Sequence, residues 1–317
     1  MLVLFCLVAA VALAAPAKKR LTEAERVAQW HTKHTWPPQW NDEPPDYKKL
    51  MEDREKEIQE TILESSERWE NWMQYTQSRY VKTFTPLGFK LVDLPKDAHE
   101  TLQKAWKAGY ANWDNLRTEG AIPVIHGPDS KFIDVQPLLA DIQRQILPMH
   151  EEWCGHKLKP TSIYGIRAYR NGSSLSMHVD KSYSHVISSI IHVAHEYDND
   201  DEPWPIEIEG HDGKLYQVNL EPGQMLFYES AKCMHGRRSM FKGKYYAGLF
   251  SHYQPVDKKV WSVSTEEIIN SIPPHWGEGM VRVPNPPIAG AALTVPSLRC
   301  ENAPPLFTRE QLSVPDL

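Results

Sequence analysis

The sequence predicts an α+β protein with a helical amino-terminal part and a core of short strands arranged as a sandwich or a barrel. Apolar residues recur at helical spacing between residues 47 and 73, and from Thr161 onward short β-rich runs alternate with turn residues. Of the 317 residues, 41% are hydrophobic and 24% are charged. This composition is typical of a globular chain that is long enough to bury its own core.

The amino-terminal part is predicted to contain one long amphipathic helix. Its apolar positions are Tyr47, Met51, Ile58, Ile62, Trp69, Trp72 and Met73. This face either packs on the rest of the chain or forms the seam of a homodimer. Further helices are predicted from Asp97 to about Lys107 and from near Pro137, because proline is favoured in a first helical turn. The apolar face of the last helix comprises Leu138, Leu139, Ile142 and Ile146.

The strands of the core are predicted from runs rich in β-branched and aromatic residues. These runs are TSIYGIRAY, SLSMHVD, HVISSIIHVAH, PIEIEG, KLYQVNL, QMLFYES and KYYAGLFSHY. Several runs are apolar at consecutive positions rather than at alternate ones. Because such strands are buried on both faces, we expect the helices to cover the outer face of the sheet.

The two ends of the chain differ from its middle. Residues 1–15 are predicted to be a signal peptide for the secretory pathway, leading to the ER lumen or to secretion, and an uncleaved anchor is the alternative. Residues 16–84 are the predicted helical region, 85–257 the core domain and 258–317 a Pro-rich extension with a short helix around Thr265–Ile269. After cleavage, no stable membrane span is expected. The net charge of -6 lacks the basic excess of a nucleic-acid binder, so no nucleic-acid partner is expected.

Three residues form a candidate metal site. His178 and Asp180 are alternate residues at the end of a predicted strand, so their side chains share a face, and His235 follows a later strand. Two histidines and one carboxylate form the facial triad of non-haem iron(II) oxygenases and leave three coordination positions open. Zinc also accepts this ligand set in hydrolases, although the metalloprotease signature H-E-x-x-H is absent.

Three further residues are candidates for binding an organic cosubstrate. Lys244 lies nine residues after His235 at the start of the next strand, where a cation could pair with the distal carboxylate of 2-oxoglutarate. Tyr169 ends the strand before His178. His192 lies inside the most apolar strand, where it is either a cosubstrate contact or a hydrogen-bonded core histidine.

Several of these segments resemble a known enzyme family. AYRNGSSLSMHVD, HVISSIIHVA and LEPGQMLFYESAKCMHGRRSMFKGKYYAGLF are similar to the catalytic core of the prolyl 4-hydroxylase-type 2-oxoglutarate oxygenases, over about residues 161 to 253. The resemblance implies a double-stranded β-helix, or jelly roll, with flanking helices. It also implies a dioxygenase domain that uses Fe(II), 2-oxoglutarate and O2, with ascorbate to restore oxidised iron.

The resemblance assigns a role to each candidate residue. It implies that His178, Asp180 and His235 bind the iron. Lys244 would pair with the C5 carboxylate of 2-oxoglutarate, Tyr169 and Phe250 would line its pocket, and His192 would occupy the place of a tyrosine that contacts the same carboxylate. The expected reaction is hydroxylation of a substrate, with succinate and CO2 as co-products.

One segment departs from the family pattern and leaves the substrate open. DNDDEPWPIEIEGHDGK replaces the stretch that carries G-G-x-T-x-F in many relatives. Peptidyl proline is the common substrate of the family, and another residue of a protein or peptide, or a small molecule, is the alternative. A zinc-dependent hydrolase and a catalytically silent binding protein with the same fold also remain as alternatives.

Overall fold

A computed structural model of the chain describes residues 25, 28, 32, 43–63, 65–120, 122, 124–200, 202–262 and 306–307. The predicted signal peptide, the predicted helical region before residue 43 apart from three positions, and the helix around Thr265–Ile269 lie outside these residues. Within them, no helix has both the length and the apolar character that crossing a membrane requires. Cys154 and Cys233 are buried and free.

The amino-terminal part forms two helices, α1 (Pro45–Thr61) and α2 (Ser65–Tyr80), so the prediction of one continuous helix was wrong. The backbone leaves the helical conformation at Ile62, where φ is -104° and ψ is 96°. The turn brings the apolar faces of the two helices together. Their shared buried cluster comprises Tyr47, Met51, Ile58, Ile62, Trp72 and Tyr75. The face on which the dimer hypothesis was based is therefore largely buried within one chain.

Two further helices confirm the predicted ones and cover one face of a sheet. They are α3 (Lys96–Tyr110) and α4 (Gln136–Cys154). Leu102 and Trp106 of α3 and Ile142 of α4 share a buried cluster with strand residues such as Ile191 and Leu249. This packing explains why those strands are apolar on both faces.

Thirteen strands complete the described part of the chain. They are β1 Phe89–Asp93, β2 Ile125–His126, β3 Lys131–Ile133, β4 Leu158–Ile163, β5 Ile166–Tyr169, β6 Ser174–His178, β7 Ile187–Tyr197, β8 Ile206–Glu209, β9 Leu215–Val218, β10 Gln224–Tyr228, β11 His235–Arg237, β12 Gly243–Pro255 and β13 Leu306–Phe307. Short 3-10 helices span Trp113–Asn115 and Lys258–Val260. Each predicted β-rich run overlaps a strand, and TSIYGIRAY overlaps two.

The strands form two sheets. The seven-stranded sheet has the order β1-β10-β7-β12-β5-β3, with β4 also paired to β12, and the six-stranded sheet has the order β13-β9-β8-β11-β6-β2. Apart from the parallel pair β13 and β9, every strand pairing is antiparallel. The mixed helix and antiparallel-sheet class predicted from the sequence is thus present.

Between β5 and β12 the chain passes repeatedly from one sheet to the other. Strands β5, β7, β10 and β12 belong to the larger sheet, and β6, β8, β9 and β11 belong to the smaller one. Ile190 and Leu226 of the larger sheet share a buried cluster with Ile208 and Val218 of the smaller one. The two sheets therefore face each other across a common core, and side chains from both can meet in the space between them.

Candidate metal centre

The sheet pairing brings the three predicted metal ligands together. His178 ends β6, Asp180 lies two residues further on, and His235 begins β11 directly opposite His178. One ligand atom from each of the three side chains lies within 4.8 Å of the other two. The Nε2 atom of His178 is 3.7 Å from Oδ1 of Asp180, and the two imidazole rings are 4.4 Å apart.

Backbone carbonyls fix the orientation of both imidazoles. Nδ1 of His178 lies 2.8 Å from the carbonyl oxygen of Ser176, and Nδ1 of His235 lies 2.9 Å from that of Cys233. Because a carbonyl oxygen only accepts hydrogen bonds, each Nδ1 carries the proton and donates it. The lone pair of each imidazole is then on Nε2, which is the arrangement that metal-binding histidines need.

The charges of the site suit a divalent cation. Burial and the neighbouring His178 lower the pKa of His235 to about 4, so its imidazole is neutral at neutral pH. Burial opposes ionisation of Asp180, but His235, His252 and His178 around it hold the pKa of its carboxyl below the usual value. Neutral imidazole and ionised carboxylate are the states that bind iron(II) or zinc.

The triad lies in a cavity of about 330 Å³ between the two sheets. Tyr169 and Phe250, both predicted to line the cosubstrate pocket, are part of its wall. The Arg167 guanidinium donates to the Tyr169 hydroxyl over 3.4 Å and lies 5.1 Å from the centre of the Phe250 ring. Arg167 also pairs with Glu119, with 2.9 Å between Nη2 and Oε1, so its charge is balanced within the cavity wall.

Lys244 does not reach this cavity, so the prediction that it anchors the cosubstrate needs correction. Its side chain is 53% exposed, and its ammonium group lies 3.8 Å from the Glu196 carboxylate and 5.3 Å from the Tyr110 ring. The register of β12 against β7 shifts between Gly243 and Tyr245. Lys244 is the extra residue of this β-bulge, and a bulge re-aims side chains that simple alternation would place inside.

His192 also lies outside the cavity wall and is therefore not in the predicted contact with the cosubstrate. It is buried, its Nε2 atom is 2.7 Å from Nδ1 of His195, and its ring stacks on Tyr246 at 4.3 Å. Tyr246 itself lines the cavity. His192 thus supports a wall residue from behind.

Arg237 is a cavity residue that the sequence reasoning missed. Its side chain is 3% exposed, and Nη2 donates to the Tyr246 hydroxyl over 3.0 Å. Nη1 donates to the Trp204 carbonyl, and the guanidinium lies 4.7 Å from the Trp204 ring. Among the described residues, no carboxylate lies within ion-pair distance of Arg237. Its position could have been found, because Arg237 is two residues after His235 and alternate strand residues share a face.

Two histidines beside the triad were also missed. Nδ1 of His252 lies 3.9 Å from Oδ2 of Asp180 and 2.7 Å from the Ser188 hydroxyl, and the ring of His185 is 3.9 Å from that of His252. Both histidines line the cavity. Burial lowers the pKa of His252 to about 3, so it is a neutral, polar wall residue next to the metal ligands.

Comparison with known proteins identifies similar structures but no matching family. No family model and no curated protein match the sequence. A prolyl-4-hydroxylase from Pseudomonas putida is 16% identical, with a TM-score of 0.39, and the match covers 54% of this chain and 94% of that one. A prolyl hydroxylase from Trichoplax adhaerens, solved with a peptide of hypoxia inducible factor, is 12% identical, with a TM-score of 0.42 and coverages of 66% and 100%.

EctD from S. alaskensis with bound Fe is a third similar structure. It is 15% identical, with a TM-score of 0.40, and the match covers 54% of this chain and 74% of EctD. The likeness to prolyl hydroxylases that the motifs predicted is thus found among solved structures. At such identities and TM-scores, function has to be inferred from the residues of this chain.

Proposed function

We propose that this protein is an iron(II)- and 2-oxoglutarate-dependent oxygenase that hydroxylates a substrate. The observation that carries this proposal is a single cavity with two features. It holds two oriented histidines and a carboxylate, and its wall contains a buried arginine with no carboxylate partner among the described residues. The first feature suits a metal with open coordination positions, and the second suits an anionic cosubstrate.

We further propose that β5 to β12 form a double-stranded β-helix. The order β10-β7-β12-β5 in one sheet and β9-β8-β11-β6 in the other supports this assignment, because successive strands alternate between the facing sheets except at the β8–β9 hairpin, which lies within the smaller sheet. In this arrangement β6 and β11 are neighbours. The fold thereby places His178 and His235 side by side although they are distant in the sequence.

In this proposal each wall residue has a defined task. His178, Asp180 and His235 hold iron(II), which when bound supplies the activation of dioxygen, coupled to oxidation of 2-oxoglutarate to succinate and CO2. Arg237 donates to the distal carboxylate of 2-oxoglutarate in place of Lys244. Tyr246 and Trp204 orient that guanidinium. Apolar wall residues such as Ile190 and Ile206 exclude water around the site.

For the substrate we propose a peptide or small molecule presented at the mouth of the cavity, with peptidyl proline as the first class to test. Tyr164 lines the cavity and is 41% exposed, so an aromatic ring is available beside the site. Aromatic side chains at a surface suit the recognition of proline-containing segments. The acidic residues Asp198, Asp200 and Glu202 lie outside the cavity lining, and Glu202 pairs with Lys242 over 2.7 Å.

The decisive experiment measures succinate. Purified protein, loaded anaerobically with iron(II), receives 2-oxoglutarate, oxygen and ascorbate, with and without pooled proline-containing peptides. We expect succinate from the wild type and none from Asp180→Ala. Peptide-dependent stimulation would support a peptidyl substrate. Zinc retention, together with no response to 2-oxoglutarate, would instead support a hydrolase, and a protein that binds iron but releases no succinate would overturn the oxygenase proposal.

A further inference from the structure

We infer that helix α2 is a positioning element of the metal site, and that Gln74 and Gln77 of this helix hold the backbone of the ligand-bearing segments. The inference rests on the proposed metal site and assigns a role to the amino-terminal helices. Neither glutamine touches a metal ligand's side chain, so both act through the backbone.

Gln77 connects the two segments that carry the ligands. Its Nε2 atom donates to the carbonyl oxygen of Asp180 over 2.6 Å and to that of Ala231 over 2.9 Å. Asp180 is itself a ligand, and Ala231 lies in the loop that leads to His235. One side-chain amide therefore bridges the end of β6 and the approach to β11, which come from distant parts of the sequence.

Gln74 fixes the same turn from one helical turn earlier. Its Oε1 atom accepts the backbone N–H of Val179 over 3.2 Å, between His178 and Asp180. Residues three apart on a helix lie on one face, so both glutamines are directed to one target. Together they engage the N–H of Val179 and the carbonyl of Asp180.

The helix is anchored beside these contacts. Lys232 is buried, and its ammonium group donates to the carbonyl oxygens of Ser78 and Val81 over 2.7 Å and 2.9 Å. The backbone N–H of Asp180 also donates to the carbonyl oxygen of Ser230 over 2.8 Å. The end of α2, the Asp180 turn and the loop before His235 are thus joined in one hydrogen-bonded network.

This network has a consequence for metal affinity. A carboxylate that must approach two imidazoles binds more tightly when its backbone is already held in place, because less conformational freedom is lost on binding. Loss of a residue that supports metal ligands typically weakens metal binding by about 10- to 100-fold. If the glutamines served only to stabilise the fold, their substitution would change the melting temperature without a matching change in metal affinity.

The test removes the two hydrogen bonds that Gln77 donates. Gln77→Glu replaces a donor with oxygens that face the carbonyl oxygens of Asp180 and Ala231. Gln77→Met removes the donor without adding charge, should the glutamate variant fail to fold. The matched control is Gln145→Met in α4, where the amide only donates to the exposed Asp141 carboxylate over 3.0 Å.

The full-length apoprotein is titrated with Co(II), and the visible absorption of the bound ion measures the affinity. The melting temperature of each apoprotein is recorded in parallel. We expect Gln77→Glu and Gln77→Met to bind about 10- to 100-fold more weakly. Gln145→Met should bind like the wild type. Unchanged affinity in a folded Gln77 variant, or an equal loss in Gln145→Met, would overturn the inference.

The outcome also separates this inference from the proposed function. Selective weakening at Gln77 in a protein that releases no succinate would support the positioning role and overturn the oxygenase. A wild type that binds neither Co(II) nor iron(II) would overturn both.

Discussion

Arg237 is the single residue with the clearest link to a ligand. A buried guanidinium carries a large desolvation cost unless it is paired, and Arg237 is held only by neutral oxygens, from the Tyr246 hydroxyl and the Trp204 carbonyl, among the described residues. A bound carboxylate would supply the missing negative charge. Lys244, in contrast, is half-exposed and already lies near Glu196.

The first prediction compares these two cations. Arg237→Met keeps most of the side-chain length and removes the charge, so we expect the 2-oxoglutarate concentration for half-maximal succinate release to rise by roughly 10- to 100-fold. Lys244→Met should leave this half-maximal concentration unchanged. Succinate release at varied 2-oxoglutarate concentrations gives the value for both variants. A rise in Lys244→Met alone would identify Lys244 as the residue that binds the distal carboxylate.

The second prediction concerns pH and stability. His150 is fully buried, Nδ1 donates to the Ile146 carbonyl, and Nε2 has no partner among the described residues. Burial lowers its pKa from 6.5 to about 4. As the pH falls, this histidine therefore takes up a proton in the unfolded chain before it does so in the folded protein. Its effect on the free energy of unfolding is absent above pH 6.5 and grows towards pH 4, where it lowers that free energy by about 3 kcal/mol.

His150→Phe should reduce that loss, because phenylalanine does not titrate and its ring fits between Phe227 and Tyr253, which lie 4.2 Å and 4.5 Å from the imidazole. Urea unfolding of both proteins between pH 4 and pH 7 measures the difference. Other buried histidines contribute in the same direction, so the two curves are compared with each other. Parallel curves would show that His150 does not titrate on unfolding.

The metal triad is more predictable from sequence than the residues around it. His178, Asp180 and His235 follow from strand alternation and residue type, and the structure places them together. Lys244 was misplaced because a β-bulge interrupts the alternation, and a bulge leaves no mark in the spacing of residues. Arg237 follows from alternation only when His235 is placed in a strand, and this three-residue strand has no β-rich signature that would indicate it.

At the scale of elements, the α1–α2 hairpin depends on the burial of its own apolar face. Trp72 is 0% exposed and lies 5.2 Å from Tyr75 in an edge-to-face contact. Arg54 of α1 pairs with Glu209 of β8, which links the hairpin to the smaller sheet. The hairpin is therefore part of the packed structure of the core domain.

The third prediction tests this packing. Trp72→Ala should lower the free energy of unfolding by about 3 to 5 kcal/mol, because it removes a fully buried aromatic side chain and leaves a cavity. Leu63→Ala is the matched control in the same hairpin, since Leu63 is 51% exposed and should change stability by less than about 0.5 kcal/mol. Urea unfolding gives both values, and similar effects of the two changes would contradict the packing.

Elements were predictable in proportion to their length and periodicity. Helices α3 and α4 and the long strands β7 and β12 repeat their apolar pattern often enough to be identified. The break at Ile62 was not predictable, because Ile62 is apolar and continues the helical pattern although its backbone is extended. Short strands such as β2 and β3 are defined by their pairing, chiefly with β6 and β5, and not by a periodic sequence pattern.

At the scale of the whole molecule, the metal ligands do not belong to the apolar clusters, although cluster residues such as Ile190 form part of the cavity wall. Apolar side chains fill the space between the helices and the larger sheet. They also fill part of the space between the two sheets. The metal ligands lie in the remaining, open part of the interior. We therefore expect the apoprotein to fold, unlike small domains whose folding free energy comes from the metal.

The fourth prediction follows from this separation. Chelation should leave the circular dichroism spectrum unchanged, since the apolar core persists without metal. Adding a divalent metal at about 100 times its dissociation constant should stabilise the folded state by about 2.7 kcal/mol, which raises the melting temperature by roughly 5 to 10 °C. Asp180→Ala is the control, because it should melt at the same temperature with and without metal. Unfolding of the wild type on chelation would mean that the metal contributes to the core itself, and an equal shift in Asp180→Ala would place the stabilising metal outside the triad.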